Sequence, residues 1–317
     1  MPQGITGSIA FGAETTPGTA VSDTAAMRFM SCDIDHKDIK SEVGDTSRGS
    51  GGAARNRVRD RREVGGTLVF PPSYVATGHI IRAALGSVTT SGSYDHAFVS
   101  EVPETVPSLT ARIAWGNSGY VGRYVGLKVQ KLSMEWTGGT GAGKATATFV
   151  GMDYEDFASG TPTAATNAEY ILAHHFGTIG WNSTTYSKAK TLKIDIENDV
   201  QRKFYVGSLI SAEPLPEGDG RKKIRVVAVM DLTAAQLDSL RDAQTAQTRS
   251  NWTITATGPS SQAMAITVHN AEIVELSAPI ATMGTLPVTV TWAATDDGTG
   301  KDGIAITITN AAANYYG

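Results

Sequence analysis

The sequence predicts a mainly β protein made of two tandem domains of similar plan, each with one helical segment. Three observations carry that prediction. The chain reads twice: "CDIDHKDI" (Cys32 to Ile39) is answered by "IDIENDV" (Ile194 to Val200). Asp33 then matches Asp195, Ile34 matches Ile196, Asp35 matches Glu197 and, after a one-residue gap, Ile39 matches Val200. Self-similarity at long spacing outweighs any local motif in deciding a fold. Next, the 34 glycines and a heavy load of Thr, Ala and Val fit strands joined by many turns. Finally, 317 residues are ample for two domains of about 150 each.

Each element follows from its local pattern. Residues 1–26 are small, polar and rich in Gly, Pro and Thr, and read as an arm. Met27 to Lys37 alternates as a strand, with Met30, Cys32 and Ile34 on one face and Ser31, Asp33 and Asp35 on the other. Residues 38–63 form a long polar, Arg-rich stretch without apolar periodicity, and structureless loops of that length usually have a function. "VGGTLVF" (Val64 to Phe70) is a strand stopped by Pro71 and Pro72. Ser73 can cap a helix whose apolar side is Val75, Ile80, Ile81, Ala84 and Leu85, with Gly86 as its stop. Strands follow at 94–100, 108–115, 124–136 and 144–152. In the second half 191–200 is a strand with Leu192, Ile194 and Ile196 on one face, and "KKIRVVAVMDL" is another. Thr233 caps a helix with Leu237 and Leu240 on one side. "NWTITATG" then echoes "TARIAWG", "MAITVHNAEIVEL" echoes "GLKVQKLSMEW", and "LPVTVTWAATDD" echoes "KATATFVGMDY". The predicted organisation is an arm at 1–26, a first domain at 27–153, a linker and second arm at 154–190, and a second domain at 191–317, with one more strand in the tail.

Bulk properties exclude several function classes. A formal net charge of -4 argues against general nucleic-acid affinity, which needs surplus Lys and Arg to neutralise phosphate. Cys32 is the single cysteine, so no intramolecular disulfide and no thiolate metal cage forms, and a reducing compartment is the natural reading. No apolar run approaches the roughly 20 residues that span a bilayer, and the N-terminus lacks the basic flank and apolar core of a signal peptide. A soluble cytosolic protein without membrane insertion is expected.

No motif makes an enzyme. "GGTGAGKAT" (Gly138 to Thr146) imitates a phosphate-binding loop, but Ala145 stands where Ser or Thr must hold magnesium. It also joins two runs of period two, so a Gly-rich hairpin turn is expected. His174 and His175 are adjacent, point apart in any regular element, and have no Cys or Asp cluster beside them. No Gly-x-Ser-x-Gly elbow supports a catalytic triad. No catalytic, cofactor-binding or metal residue is assigned.

Two charged constellations remain. Arg48, Arg55, Arg57, Arg59, Arg61 and Arg62 form the strongest local charge feature. A planar guanidinium meets carboxylates bidentately, which suits a protein contact loop. A plain solvated loop is a second reading. Nucleic-acid binding is a third, opposed by the acidic net charge, the lack of aromatics and the presence of Asp60 and Glu63. The acidic strand faces (Asp33, Asp35, Asp195, Glu197) read singly as wet faces, but their recurrence in both halves points to a shared environment.

The order of elements over residues 187–246, together with the opening "GSIAFGAETTPGTA", resembles the major tail tube proteins of long-tailed (siphovirus-like) bacteriophages. The resemblance covers nearly the whole chain. It implies β-sandwich or barrel-like tube domains, each with one flanking α-helix, that join sheets edge to edge into rings stacked as a hollow conduit for DNA ejection. Single-domain relatives form hexameric rings, so a duplicated chain implies a homotrimer, with a homohexamer as the alternative. The implied partners are further copies of the chain, a tape measure protein and DNA inside the lumen, and other tail proteins at the tube ends. The implied location is the virion tail, assembled in the host bacterial cytoplasm. The resemblance also suggests that Asp33, Asp35, Asp195 and Glu197 face the lumen, repelling phosphate. The 38–63 loop resembles the family's loop that reaches a neighbouring ring, so its arginines are expected to meet acids of an adjacent subunit. Two alternative functions fit the same β-rich pattern: the tube of a phage-derived contractile particle, and a carbohydrate- or cell-binding β-sandwich module. The latter predicts an exposed aromatic platform, whereas Trp115, Trp136, Trp181, Trp252 and Trp292 are scattered and mostly within strands.

Overall fold

The computed structural model describes residues 7–43, 56–92, 94–101, 105–116, 121–139, 141–156, 162, 171–172, 177–217, 222–278, 287–295 and 303–310. The first half contains β1 (Ser8–Ala13), β2 (Ala25–Met27), β3 (Ser31–Cys32), β4 (Asp35–Val43), β5 (Asn56–Phe70), α1 (Ala76–Leu85), β6 (Gly86–Ser91), β7 (Asp95–Ser100), β8 (Leu109–Ala114), β9 (Val121–Thr137), β10 (Lys144–Gly151) and β11 (Asp153–Asp156). The second half contains β12 (Gly177–Trp181), β13 (Thr184–Tyr186), β14 (Ala189–Glu197), β15 (Val200–Gln201), β16 (Leu215–Pro216), β17 (Lys223–Asp231), α2 (Ala234–Thr245), β18 (Arg249–Thr257), β19 (Ala263–Ser277), β20 (Pro287–Ala293) and β21 (Ile304–Thr309).

Strand pairing repeats between the halves. Six antiparallel pairings of the first half, β1–β2, β1–β8, β8–β9, β9–β10, β5–β10 and β4–β5, have counterparts in β12–β13, β12–β18, β18–β19, β19–β20, β17–β20 and β14–β17. Irregularities recur as well. The β9–β10 register skips Gln130 between Thr148 and Phe149, and the β19–β20 register skips Val274 between Thr291 and Trp292. A bulge inserts one unpaired residue and bends the strand, so bulges at matching positions bend matching strands. The pairing gives Asp35 the place of Asp195 and Ile34 that of Ile194, because Asp35 faces Gly65 and Asp195 faces Arg225 at equivalent points of β5 and β17. The repeat read from sequence is therefore offset by two residues. An even offset leaves every side chain on the same face.

One sheet crosses the whole chain in the order β4–β5–β10–β9–β14–β17–β20–β19. The halves meet where β14 pairs with the C-terminal part of β9, from Thr191 opposite Thr137 to Glu197 opposite Lys131. A second seam forms at β21, which lies between β19 and β7. Behind the first layer stand β2–β1–β8 and the N-terminal part of β9 in the first half, and β13–β12–β18 with the N-terminal part of β19 in the second. The layers touch through aromatic pairs: the Phe11 and Phe149 rings are 5.7 Å apart, and the Trp181 and Trp292 rings 6.3 Å apart. Such rings contribute about 0.5–1.5 kcal/mol beyond the area they bury. The result is sandwich-like. The barrel alternative is corrected, because the sheets do not close and β4 and β19 end the first layer.

Both helices stand where the apolar spacing put them. Thr233 caps α2 with a reciprocal pair, accepting from the Gln236 amide while the Gln236 side chain accepts from the Thr233 amide. In the first half the expected Ser73 cap is corrected: Val75 stands at the N-terminus of α1 without a side-chain cap bond, and the Ser73 hydroxyl, two residues earlier, accepts from the Ala76 amide at 3.1 Å. The helix stops at Gly86, whose φ of 118° suits glycine. Three expectations change. Residues 8–13 are a strand with Ile9, Ala10 and Phe11 buried, so the first arm is packed over that stretch. The second arm holds β12 and β13, whose Ile179, Trp181 and Tyr186 join the core. The stretch 38–63 is not structureless, since 38–43 and 56–63 are opposing strands of one long hairpin. Short Thr- and Gly-rich strands such as β12 and β13, a strand buried on both faces such as β1, and strands polar on both faces all lack period-two contrast.

Candidate functional site: the polar face, the arm and the neighbouring loop

The sheet that crosses the chain has one face packed on the core and one polar face. Ile194 and Ile196 point inward and are fully buried, so Lys193, Asp195 and Glu197 point outward from β14. Cross-strand partners share a face, which extends this surface as the row Thr67, Thr148, Lys131, Glu197, Lys223. Asp33 joins the row at Thr67, whose carbonyl accepts from its amide at 3.0 Å and whose amide donates to its carboxylate. Asp35, opposite Gly65, lies on the same face. All four predicted acids thus share one surface.

That surface is not acidic overall. Lys193 pairs with Asp195 at 2.9 Å, Arg225 stands opposite Asp195, and Glu197 lies between Lys131 and Lys223. Thr146, Thr148, Thr289, Thr291, Ser133 and Ser277 fill positions between the charges. The carboxylates stand out in the sequence because each pair, Asp33 with Asp35 and Asp195 with Glu197, lies on one short run. Lys193 shares β14 with Asp195, whereas Arg225, Lys131 and Lys223 come from neighbouring strands, distant in sequence.

The arginine arm is the β4–β5 hairpin. Arg48 and Arg55 lie outside the described residues, and Arg57 belongs to β5 opposite Glu42. Arg59 pairs with Asp38. Arg62 reaches Asp38 at 3.0 Å and Asp153 at 2.8 Å, and also donates to the Tyr154 carbonyl. Hydrogen bonds from Arg59 and then Arg62 hold the Asp38 carboxyl down at about 2. Arg61 pairs with Glu63 at 2.8 Å and stacks over the Phe204 ring at 5.5 Å. Arg59, Arg61 and Arg62 therefore have acids of their own chain.

Phe204 introduces residues that sequence reasoning missed. The segment between β15 and β16 packs along the base of the arm: the Arg62 amide donates to the Leu209 carbonyl at 2.7 Å, and Arg202 donates to the Val64 carbonyl. Lys128, buried in β9, pairs with Glu213 at 2.6 Å. The segment nevertheless shows Tyr205, Val206, Leu209 and Ile210 to solvent. An exposed apolar cluster of this kind marks a contact surface. The short run "FYVGSLI" carried a signal, an apolar stretch outside any strand pattern.

Other expectations resolve simply. The Gly-rich stretch separates β9 from its antiparallel partner β10, a hairpin pairing of strands rather than the strand-to-helix setting of a phosphate cradle. His174 and His175 lie outside the described residues. Trp181, Trp252 and Trp292 are buried, and Trp115 and Trp136 pack against the core, which leaves these five no exposed platform. A cleft of about 230 Å³ lies beside Trp136, Tyr186, Leu192 and Ile254 with Lys190 at its wall. Among the described residues no group of three or more His, Cys, Asp or Glu is placed to hold a metal ion. No helix among them is long and apolar enough to cross a membrane.

No curated protein matches the chain. The family model of the phage tail tube protein matches residues 4–312. With the antiparallel two-layer halves and a polar sheet face, that match over nearly the whole length leads to one conclusion: the chain belongs to the phage tail tube protein family.

Proposed function

We propose that this structural tail tube subunit carries two copies of one tube domain and that three chains close a ring, with rings stacking into the conduit through which DNA leaves. Family membership makes the chain a component of the virion tail that self-assembles with other tail components. The observation that carries the ring is the β9–β14 junction: one half continues the other's sheet edge to edge, while the terminal strands β4 and β19 keep an edge without a strand partner among the described residues. Open edges invite pairing, and a closed ring satisfies them all. Native mass spectrometry and electron microscopy of the assembled tube test this. Three chains per ring are expected; six per ring would replace the trimer with the homohexamer, and a tube without rings would reject both.

The polar face supports a lumen role for Asp33, Asp35, Asp195 and Glu197, with the tape measure protein and then DNA passing over it. Its mechanism differs from simple repulsion, because Asp195 and Glu197 sit among lysines and an arginine, while Asp33 accepts from the Thr67 amide and Asp35 from the Tyr124 hydroxyl. A surface of small, locally balanced charges offers phosphate no continuous basic track, which is what tight nucleic-acid binding requires. We place the inter-ring contact at the arm and the apolar segment beside it. Of the six arginines, Arg48, Arg55 and Arg57 are the candidates to meet acids of an adjacent subunit, since Arg59, Arg61 and Arg62 are paired within the chain. A structural family and a core-packed tryptophan set favour no catalytic activity and no carbohydrate-binding role. A contractile sheath around the tube would be seen in the same micrographs.

A further inference from the structure

The junction inside the chain has a charge order that its two free ends reverse. Across β9, β14 and β17 the residues Lys131, Glu197 and Lys223 stand side by side on the polar face. In the second half the place of Lys131 belongs to Glu275. Each follows the skipped bulge residue, Gln130 or Val274, and each faces a threonine, Thr148 or Thr291. In the first half the place of Glu197 belongs to Lys37, and that of Lys223 to Glu63. Lys37 pairs with Glu63 just as Glu197 pairs with Lys223, two positions beyond Asp35 and Asp195. The order Lys–Glu–Lys within the chain thus becomes Glu–Lys–Glu when β19 of one copy is set beside β4 of the next. The edges are available. On the β18 side, β19 has no strand partner beyond Glu272 among the described residues, and β4 is paired on its β5 side alone. Glu275 and Lys37 are both exposed, and Val274 beside Glu275 is 51% exposed, an apolar residue left uncovered on the open edge.

Resting on the ring reading above, we infer that β19 of one chain pairs with β4 of a second copy in the register of β9 with β14. Glu275 then lies opposite Lys37, Leu276 opposite His36 and Ser277 opposite Asp35, the last pair reproducing Ser133 opposite Asp195. Inversion of the charges makes this a code. If β9 met β4 of another copy, Lys131 would face Lys37; if β19 met β14, Glu275 would face Glu197. Opposite charges directly across a strand pair stabilise it and like charges destabilise it. First halves are thereby directed to second halves around the ring, and two copies of the same half are kept apart.

The test uses the full chain. The wild-type protein is first shown to form tubes, which checks the ring reading by itself. Glu275→Lys or Lys37→Glu should raise the critical concentration for assembly about ten-fold at low salt, while thermal melting of the unassembled subunit stays unchanged. The double variant Glu275→Lys with Lys37→Glu should recover assembly. Oxidation of a Cys32→Ser protein carrying Ser277→Cys and Asp35→Cys should give chain-to-chain disulfides on assembly, because directly opposed strand residues lie about 4.5–5.5 Å apart at Cα. Tubes that form as well from either single variant as from wild type, or a tube without that cross-link, would overturn the inference while leaving the ring intact.

Discussion

The two halves share a pairing scheme but spend their helices differently. In α1 nearly every residue is buried, from Ala76 through Ala84 and Leu85, whereas α2 buries only Leu237, Leu240 and Ala243. The helix of the first half is covered because it packs on β9 and β2 and on the β6–β7 hairpin that follows it. In the second half α2 leads straight into β18 and stays at the surface. The first half also contains the buried Glu14, whose carboxylate accepts from Ser108, Thr110 and the Gly18 and Gly126 amides. A shared scaffold therefore supports one half built into the chain's interior and one whose flank remains free.

The comparison can be broken at its centre. Phe149 and Trp292 occupy matching positions in β10 and β20, and each is buried against an aromatic residue of the layer behind. Truncating either to Ala should cost about 3–5 kcal/mol. Chemical denaturation monitored by two probes would show whether both substitutions shift one common transition. Two separate transitions would mean that the β9–β14 and β21 seams do not couple the halves.

A smaller effect separates the helices by pH. His79 of α1 is buried, and burial, reinforced by Arg82 and His96, pushes its imidazole down to about 3. The folded chain holds it neutral, so this contribution is complete above the unfolded-state value of 6.5 and is lost as pH falls below it. From neutral pH and above down to pH 5 the decline should reach about 2 kcal/mol, and it continues toward the folded-state value. His79→Leu should flatten that slope in urea titrations. An unchanged slope would show that the proton is taken up elsewhere.

The smallest expected effect lies at the exposed helix. Thr233→Ala removes the hydroxyl half of the α2 cap and should cost about 1 kcal/mol. The loss should appear as faster amide exchange over the first turn of α2 with α1 unaffected. Equal acceleration in both helices would show that α2 is packed more tightly than its exposure implies.

Much of the scaffold was legible in the residues. Long alternating runs such as Lys144 to Gly151 and Lys223 to Asp231 announce strands, because a buried face imposes period two. The cap at Thr233 and the stop at Gly86 are local chemistry and were read as such. The first arm was misread because Ser8 to Ala13 is buried by β2 and β8, partners distant in sequence, rather than by its own contrast. The arginine arm was misread for a related reason. Its strands are held by pairing and by ion pairs to Asp38 and Asp153, and neither leaves an apolar signature.

The sequence by itself determined the β-rich class, the two helices, the repeated order of segments and the family resemblance, since each depends on spacing along the chain. Tertiary structure alone decided the rest. It set the register of the repeat, two residues from the apparent one, because register follows hydrogen-bonded partners. It set Asp195 and Glu197 beside Arg225, Lys131 and Lys223 of other strands, because cross-strand neighbours have no fixed sequence separation. It also brought Lys131 to Glu197 and left Glu275 and Lys37 at opposite open edges, since only the folded sheet has ends.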